Sequence, residues 1–376
     1  MVWIVPAELE EVIYAATRAA LGDAPLATAA LTRSILDRSR RYTSERDRPA
    51  TDRAGDLAAR AMFFTVADAM KIAIPLGELV HRNALPAARP LRIVDLGAGC
   101  GAMSLGAIAT LPGEVTLDIL AIDRDGPALA IARAAIRELA ARRGATVGIA
   151  IRDDDVTRAT LPRADLVVIG TLLNELTTEA RVAVVERALA AVGDDGAVII
   201  VEPALRDTAR ALHELRDVIL GSGRGHVFAP CTRSLAPCPA LADPSDWCHE
   251  DRALQLPRRT AELARLTHLR DGGMKFAYLV LRRQPLGLVE PASAWRVVSA
   301  PMPAKGKLEI IGCSNAGRVP IRLLRRHRNA ANRSLEEADR GDVLITEAAP
   351  DEARVEITGE TRVERRTPAE VVTPGR

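Results

Sequence analysis

The sequence has little of what marks an exported or membrane protein. No apolar run reaches the roughly 18 residues that a membrane helix needs, and the opening residues form neither a basic leader nor an arginine-rich, acid-poor segment. The formal net charge is only +2 over 376 residues, so any contact with nucleic acid must depend on local patches rather than on a global field. With 48% hydrophobic residues, the chain can build a sizeable core, and we expect a globular cytoplasmic protein.

Cysteine is also scarce, but its distribution is uneven. Cys231, Cys238 and Cys248 fall within eighteen residues of a proline-rich stretch, and Cys313 follows much later. In a reducing compartment, clustered thiols are more often metal ligands or catalysts than disulfides. The proline-rich stretch has few aliphatic runs that could pack by themselves, so it needs something to hold it. Cys100, inside a glycine-rich turn, is interpreted as a small buried side chain.

The spacing of the four downstream cysteines leaves the kind of metal centre open. Successive cysteines are separated by six, nine and sixty-four intervening residues, and this spacing matches no standard zinc ribbon or C-x2-C knuckle. Thiolate ligation without a paired histidine mildly favours an iron–sulfur cluster, although His249 beside Cys248 could replace one thiol. Spacing alone therefore does not separate zinc from iron–sulfur.

The spacing of apolar residues changes along the chain and predicts four regions. Residues 1–88 carry apolar side chains at three- and four-residue intervals, which predicts a helical region with helices over 6–21, 25–42 and 55–82. Residues 89–284 alternate short apolar strands with helices, which predicts an α/β domain with a doubly wound parallel sheet and an inserted cysteine loop at about 223–255. The predicted strands of this domain are, in chain order, 91–95, 115–122, 146–151, 165–169, 197–201 and 276–281. Residues 285–348 predict a small β-rich C-terminal module with strands over 295–299, 307–312 and 318–324. Residues 349–376 are polar and charged apart from the alternating segment 354–358, and they predict a flexible tail.

A glycine-rich turn follows the first predicted strand of the α/β domain. The segment Ile93–Gly101 places an acid, Asp95, and three glycines, Gly97, Gly99 and Gly101, between a strand and a helix. Such glycines let the backbone approach a ligand, and the helix N-terminus favours negative charge. Asp123 ends the second predicted strand, where a carboxylate can accept both ribose hydroxyls. The pattern resembles motif one of class I S-adenosylmethionine (SAM) methyltransferases and predicts a SAM site.

Two later residues complete the predicted cofactor site. Asp155 follows the third strand, where folds of this kind place an acid at the adenine, and Asn174 ends the fourth strand, where acceptor substrates enter. Asp155 also belongs to an acidic run, Asp153–Asp155, that could simply be solvated. The predicted cofactor-binding set is Asp95, Gly97, Gly99, Gly101, Asp123, Asp155 and Asn174.

A catalytic use of the thiols is the competing hypothesis. RNA 5-methylcytosine methyltransferases attack the base with a cysteine that often follows proline, and Pro230-Cys231 and Pro237-Cys238 fit superficially. Those enzymes hold the thiol beside the methyl donor, whereas Cys231 lies beyond a whole helix after the predicted fifth strand. The Asp/Asn-Pro-Pro-aromatic motif of amino-methylating enzymes is replaced by Gly170-Thr171-Leu172-Leu173-Asn174. Neither catalytic signature is convincing.

Taken together, these motifs resemble one family over roughly residues 35–345. It is the family of small-ribosomal-subunit methyltransferase-like assembly factors, to which mitochondrial methyltransferase-like protein seventeen and shorter bacterial chains belong. Its marks here are Asp95–Gly99, Leu173–Leu176, Cys231–Cys238, Asp246–His249, Lys275–Tyr278 and the late Cys313 before a basic stretch. The sequence departs from the family at Arg340-Gly341-Asp342, where Trp-Gly-Asp is usual, and at Pro203–Arg206, which replaces a glycine-containing turn.

The resemblance implies more than the residues do alone. It implies a four-iron, four-sulfur cluster on Cys231, Cys238, Cys248 and Cys313, bound SAM, and binding to small-subunit ribosomal RNA in the precursor subunit. It leaves catalysis open. It also leads us to expect a bacterial cytoplasmic protein that is a monomer when free and has no membrane partner.

Basic residues near Cys313 offer a surface for RNA. Their guanidinium groups can pair with phosphate oxygens in a bidentate manner, although such a run can equally be a solvated face. Aromatic residues are only 3% of the chain, so we expect backbone-directed, salt-sensitive recognition of folded RNA rather than base stacking. The predicted RNA-binding residues are Arg322, Arg325, Arg326 and Arg328, with Arg333 nearby.

The sequence thus favours a SAM-fold, iron–sulfur protein that binds small-subunit rRNA and assists subunit assembly, with a structural cluster that joins the cysteine loop to the C-terminal module. The alternative is an active SAM-dependent rRNA cytosine methyltransferase. A third hypothesis is a redox- or iron-responsive regulator whose RNA binding follows cluster loss.

Overall fold

The computed structural model describes residues 2–43, 50–270, 273–289, 293–351 and 354–367. Among these residues, no helix has the length and apolar character needed to cross a membrane. The α-helices are α1 Ala7–Leu21, α2 Thr28–Thr43, α3 Arg53–Ala59, α4 Val66–Asp68, α5 Ala73–His81, α6 Ala102–Thr110, α7 Gly126–Arg143, α8 Thr178–Ala191, α9 Arg206–Gly221 and α10 Arg258–Thr267.

The strands divide between a central sheet, a C-terminal sheet and one short pair. They are β1 Trp3–Ile4, β2 Leu91–Leu96, β3 Leu117–Asp123, β4 Val147–Asp153, β5 Ala164–Gly170, β6 Val192–Pro203, β7 His226–Ala229, β8 Glu250–Arg252, β9 Leu254–Gln255, β10 Met274–Arg282, β11 Ala294–Val297, β12 Met302–Ala304, β13 Lys307–Ser314, β14 Gly317–Leu324, β15 Val343–Ile345, β16 Pro350–Asp351, β17 Arg354–Ile357 and β18 Glu364–Arg366.

The described residues form two compact units, each built from separate stretches of chain. The first unit is drawn from Met1–Ala73, Pro86–Leu172 and Arg252–Met274. The second is drawn from Ile74–Leu85, Leu173–Asp251 and Lys275–Arg376. These divisions differ from the boundaries predicted at 88 and 284, because chain segments leave one unit and return to it later.

The first unit contains four parallel strands in the order β4-β3-β2-β5. The register places Ile93 of β2 between Ile119 of β3 and Leu166 of β5, and all three side chains are buried. Helices α6 and α7 connect the strands. Near-continuous apolar strands joined by helices are typical of a sheet covered on both faces. The predicted α/β class, with the strand–glycine turn–helix layout of class I SAM methyltransferases, is confirmed.

Helices α1 to α4 belong to this unit rather than to a separate domain, whereas α5 beyond Ala73 belongs to the second unit. Helix α1 packs against α7, and the buried Glu10 of α1 accepts hydrogen bonds from the backbone and hydroxyl of Thr260, at 2.7 and 2.8 Å. A carboxylate at the N-terminus of a helix is favoured by the helix dipole, so Glu10 fixes the start of α10. A third helix predicted over 55–82 is interrupted by π- and 3-10-helical turns between Arg60 and Ile72.

In the second unit, β10 lies between β6 and β7 and is antiparallel to both of these strands. The C-terminal module forms a sheet in the order β16-β17-β14-β13-β11-β15-β18, with β12 beside β13. Three strands predicted in this module are present as β11, β13 and β14. Trp295, Ile310, Ile321 and Leu344 lie in its core.

The end of the chain differs from the predicted flexible tail. In the described part of that segment, β17 pairs in parallel with β14, and Val355 and Ile357 are fully buried in the core of the module. The apolar residues of β17 alternate with charged ones, which suits a strand with one buried face. Residues 352–353 and 368–376 of that prediction lie outside the described residues.

Candidate functional site

The glycine turn of the first unit has the geometry of a ligand-binding loop. Gly97, Gly99 and Gly101 all have positive φ angles, of 76°, 51° and 85°, and Gly101 caps the N-terminus of α6. A Cβ atom on Gly97 would lie 2.9 Å from Leu172, whereas one on Gly99 would meet nothing within 4 Å. Gly97 is therefore required for packing, while the backbone at Gly99 borders open space that a ligand can approach.

Asp123 lies at the same turn, at the end of β3. Its Oδ2 accepts a hydrogen bond from the Gly99 backbone at 2.8 Å, and its Oδ1 accepts one from the Asp125 backbone at 2.9 Å. Each carboxylate oxygen has a second lone-pair site, so both oxygens can still accept a hydroxyl. The structure thus brings the predicted ribose acceptor and the glycine turn together.

Asp95, the acid ahead of the glycine turn, has its hydrogen-bond partner on α6. Its carboxylate is buried and accepts hydrogen bonds from Ser104, through the hydroxyl at 2.5 Å and the backbone at 3.2 Å. Burial raises the pKa of Asp95 to about 6, against the lowering effect of those Ser104 bonds. Asp95 therefore ties the end of β2 to α6 and holds the shape of the turn.

The cluster of Arg60, Asp56 and Asp125 beside the turn was missed by sequence reasoning. Asp125 caps α7 by accepting a hydrogen bond from Ala128 at 3.1 Å, and it also forms an ion pair with Arg60. Arg60 in turn lies 3.4 Å from Asp56. No local sequence pattern predicts this cluster, because Arg60 and Asp125 are 65 positions apart.

Asp155 and Asn174 have local hydrogen-bonding partners. Asp155 is solvent-exposed on the loop after β4, and its carboxylate accepts two bonds of 2.8 Å from the backbone and hydroxyl of Thr157. In the second unit, the Asn174 amide donates to Glu202 at 2.8 Å, and the Leu173 backbone donates to the other Glu202 oxygen at 2.8 Å. The buried Glu202 was not predicted, although an acid at the end of the apolar run Ala197–Val201 was the available signal.

The four downstream cysteines meet in the second unit. Cys231, Cys238, Cys248 and Cys313 all line one cavity of about 50 Å³, which is more than a single water requires. Cys313 lies on β13, opposite Arg296 of β11 in the strand register. Among the described residues, no group of three or more His, Cys, Asp or Glu side chains is arranged so that it could hold a metal ion. The chemistry of the donor set, four thiols on one cavity, nevertheless fits a thiolate-bound centre.

The surroundings of these cysteines disfavour their charged, thiolate form. Burial raises the pKa of Cys238 to about 11 and of Cys313 to about 12, and the neighbouring Cys231 adds to both shifts. Burial also raises the pKa of Cys248. Metal binding requires thiolates and releases their protons. Arginines that border the same cavity, Arg216, Arg233, Arg296 and Arg318, bring positive charge to it.

A buried ionic network forms part of the cavity wall. Arg296, with a side chain only 3% exposed, contacts Glu78 at 2.6 Å and Glu250 at 3.0 Å. Its guanidinium also donates to the Tyr278 hydroxyl at 2.8 Å, while that hydroxyl donates to Glu78 at 2.7 Å. Burial raises the pKa of Glu78 despite the nearby Arg296. The network fixes α5, β8, β10 and β11 to one another beside Cys313.

The predicted RNA-binding arginines follow β14 in the C-terminal module. Among the described residues, neither Arg325 nor Arg326 forms an ion pair with a carboxylate, and both are exposed. Arg322, within β14, pairs with Glu356, and Arg328 lies 2.8 Å from Glu336. The exposed charge is therefore concentrated in the turn Arg325–Arg328.

A buried asparagine, Asn332, gives this basic turn its shape. The Asn332 side chain is fully buried, and its amide donates to the carbonyls of His327 at 2.9 Å and Thr358 at 3.0 Å. Its carbonyl accepts a bond from the Asn329 backbone at 3.0 Å. These bonds anchor the chain just after the basic turn to the loop that follows β17.

Comparisons with known proteins give one family and a set of similar folds. A family model described as mitochondrial small ribosomal subunit Rsm22 matches residues 71–344. No curated protein sequence matched the chain.

Several solved structures are similar at low identity. Magnesium protoporphyrin IX methyltransferase from Synechocystis PCC 6803 with bound SAM is 12% identical, with coverage of 67% of this chain and 97% of that one and a TM-score of 0.37. A ribosomal protein L11 methylase from Lactobacillus delbrueckii subsp. bulgaricus is 14% identical, with coverage of 57% and 79% and a TM-score of 0.32. A SAM-dependent methyltransferase from Methanosarcina mazei is 13% identical, with coverage of 55% and 97% and a TM-score of 0.35.

Proposed function

Because the chain belongs to the Rsm22 family, whose model is described as mitochondrial small ribosomal subunit and matches residues 71–344, we propose that it binds small-subunit ribosomal RNA and assists assembly of the small subunit. In this proposal the protein works as a scaffold on the precursor subunit. It carries SAM at the glycine turn and a four-iron, four-sulfur cluster at the cysteine cavity.

One observation carries the proposal beyond family membership. A single C-terminal module supplies both the late cysteine of the cavity, Cys313 on β13, and the exposed basic turn that follows the adjacent strand β14. Thr232, next to Cys231, donates a hydrogen bond of 3.1 Å to the Cys313 carbonyl. Arg318 of β14 also forms an ion pair with Asp246 of the cysteine loop. The order of the cysteine loop and the placement of the basic turn are therefore linked through neighbouring strands.

The chain's own residues suit a bound cluster. Cys231, Cys238, Cys248 and Cys313 would hold it, and Arg216 and Arg318 would offset part of the negative charge of four thiolates. When bound, a cluster supplies either a cross-link between the loop and the module or one-electron chemistry. We favour the cross-link, since the ligands come from two separate segments and the module presents a basic surface.

The cluster proposal predicts the metal content of the protein. After anaerobic purification, iron and acid-labile sulfide should each be about four per chain, because each of four thiolates can bind one of the four iron atoms of a cubane cluster. Cys313→Ser should lower both, while Cys100→Ser, in the glycine turn, should leave them unchanged. Stoichiometric zinc without sulfide in the anaerobic wild-type protein would show that the cluster proposal is wrong.

The SAM proposal predicts the effect of Asp123→Ala. Removal of hydrogen bonds to a charged acceptor should weaken SAM binding by roughly 1.5 to 3 kcal/mol, measured by calorimetry, while the melting temperature shows that the fold persists. Asp118→Ala is the matched control, because Asp118 is an exposed acid on the same strand. Unchanged affinity in the Asp123 variant would remove Asp123 as the ribose ligand.

The RNA proposal predicts a change in salt dependence. Replacing Arg325, Arg326 and Arg328 with alanine should weaken binding to small-subunit rRNA. The log–log salt slope should flatten by roughly 0.7 to 0.9 for each phosphate that the protein no longer neutralises. The control is a triple variant that removes the same charge from exposed arginines of the same unit, Arg206→Ala, Arg224→Ala and Arg283→Ala. If affinity and slope fall equally in the two triple variants, the basic turn does not bind the RNA.

A further inference from the structure

One face of helix α9 carries four polar side chains that point to the cysteine loop. Arg210, His213, Arg216 and Asp217 follow one another at intervals of three, three and one residues, which places them along one side of a helix. His213 and Arg216 are buried, with 8% and 1% of their surface exposed. Polar groups at such depth need hydrogen-bond partners, and here the partners are backbone groups of residues 233–248.

The first of these residues, Arg210, holds the second half of the loop. Its guanidinium donates to the carbonyls of Ala240 at 3.1 Å, Asp243 at 2.7 Å and Asp246 at 2.9 Å. A guanidinium group is planar and carries five N–H donors, so one arginine side chain can bind several carbonyls at once. Arg210 therefore gathers the turn between Cys238 and Cys248.

The next two contacts reach cysteine backbones directly. The Cys248 N–H donates to Nε2 of His213 at 3.0 Å, and the Cys238 N–H donates to Oδ2 of Asp217 at 2.7 Å. Both acceptors sit on a regular helix, so each fixes the position of a backbone from which a thiol reaches the cavity. His213 must present an unprotonated Nε2 to accept this bond.

Arg216 completes the set at the first cysteine. Its guanidinium donates to the carbonyls of Arg233 at 3.2 Å and Leu235 at 3.0 Å and forms an ion pair with Asp217. It also lines the cavity with Cys231 and Cys238. The chain that leaves Cys231 is therefore tied to the same helix face as Cys238 and Cys248.

We infer that Arg210, His213, Arg216 and Asp217 form a positioning clamp, which holds Cys231, Cys238 and Cys248 at the cavity through bonds among protein groups alone. Cys313 needs no such help, because it lies in a paired strand between β11 and β14. The backbones that carry these thiols are thus held by protein groups, unlike small metal domains in which binding of the metal is what folds the ligand loop. The inference deepens the proposed function, and only its purpose, loading of a cluster, rests on that proposal.

Hydrogen exchange on the full-length apoprotein tests the clamp without any metal. With iron and zinc removed by chelation under reducing, anaerobic conditions, the Cys238 and Cys248 amides should exchange about tenfold or more slowly than in an unstructured peptide. Residue-level mass spectrometry reads both amides. If they exchange at the unstructured rate in the wild-type apoprotein, metal holds the loop and the clamp is refuted, whatever metal that is.

A pair of substitutions at Asp217 separates positioning from general stability. Asp217→Ala removes the acceptor and should raise exchange at Cys238, whereas Asp217→Asn retains a carbonyl oxygen and should preserve most of the protection. Glu214→Ala, on the exposed side of α9, should change neither amide. Equal protection at Cys238 in the Ala variant and the wild type would overturn the role of Asp217.

Reconstitution with ferrous iron and sulfide gives a readout that stability alone would not produce. The visible cluster absorption should develop several-fold more slowly in Asp217→Ala than in Asp217→Asn or Glu214→Ala, at matched melting temperatures. Should no variant or wild-type protein take up iron and sulfide, the cluster proposal fails while the exchange result still decides the clamp. Equal reconstitution rates in the Ala and Asn variants, with uptake intact, would contradict the clamp.

Discussion

The second unit depends on positive charge that is buried next to the cysteine cavity. Arg216 and Arg296 are 1% and 3% exposed. Arg296 is compensated by carboxylates from segments far apart in sequence, and Arg216 by the adjacent Asp217 and by carbonyls of the cysteine loop. Removing one partner of such a buried pair typically costs about 3 to 5 kcal/mol, because the remaining charge is left uncompensated. Glu78, Glu250 and Tyr278 converge on Arg296, while Asp217 and two loop carbonyls converge on Arg216. The cavity lined by thiols therefore sits among ionic groups, of which the two most deeply buried arginines, Arg216 and Arg296, each have partners.

Local patterns predict the elements that depend on neighbours in sequence. The parallel strands β2, β3 and β5 are continuous apolar runs between helices, and the turn at Gly97 and Gly99 follows from its glycines. Strand β13 alternates half-buried and buried residues along its length, and β14 does so over its second half. Convergence of the four cysteines is expected from resemblance to a family, since their irregular spacing does not encode it, and the structure does place all four on one cavity.

Contacts between residues far apart in sequence determine the features that local sequence patterns do not predict. The sequence predicts β17 as part of a flexible tail because its charged residues mask Val355 and Ile357, whose burial depends on pairing with β14. The sequence likewise does not indicate that the amide of Asn174, a predicted cofactor residue, donates to Glu202, 28 positions away. The face of α9 resembles that of an ordinary amphipathic helix until the loop that it contacts is in place. In each case the partner of the residue lies on another element of the chain.

The central claim is that the protein acts as a scaffold for small-subunit assembly rather than through methyl transfer. The most direct test compares Asp123→Ala with Cys313→Ser in cells that lack the native chain, by measuring the fraction of small-subunit precursor in sucrose gradients. The account predicts that Cys313→Ser accumulates precursor, because it frees the C-terminal module, and that Asp123→Ala stays close to wild type. If the Asp123 variant accumulates as much precursor while it remains folded and retains its metal, the scaffold account is contradicted, and SAM occupancy or methylation becomes the essential function.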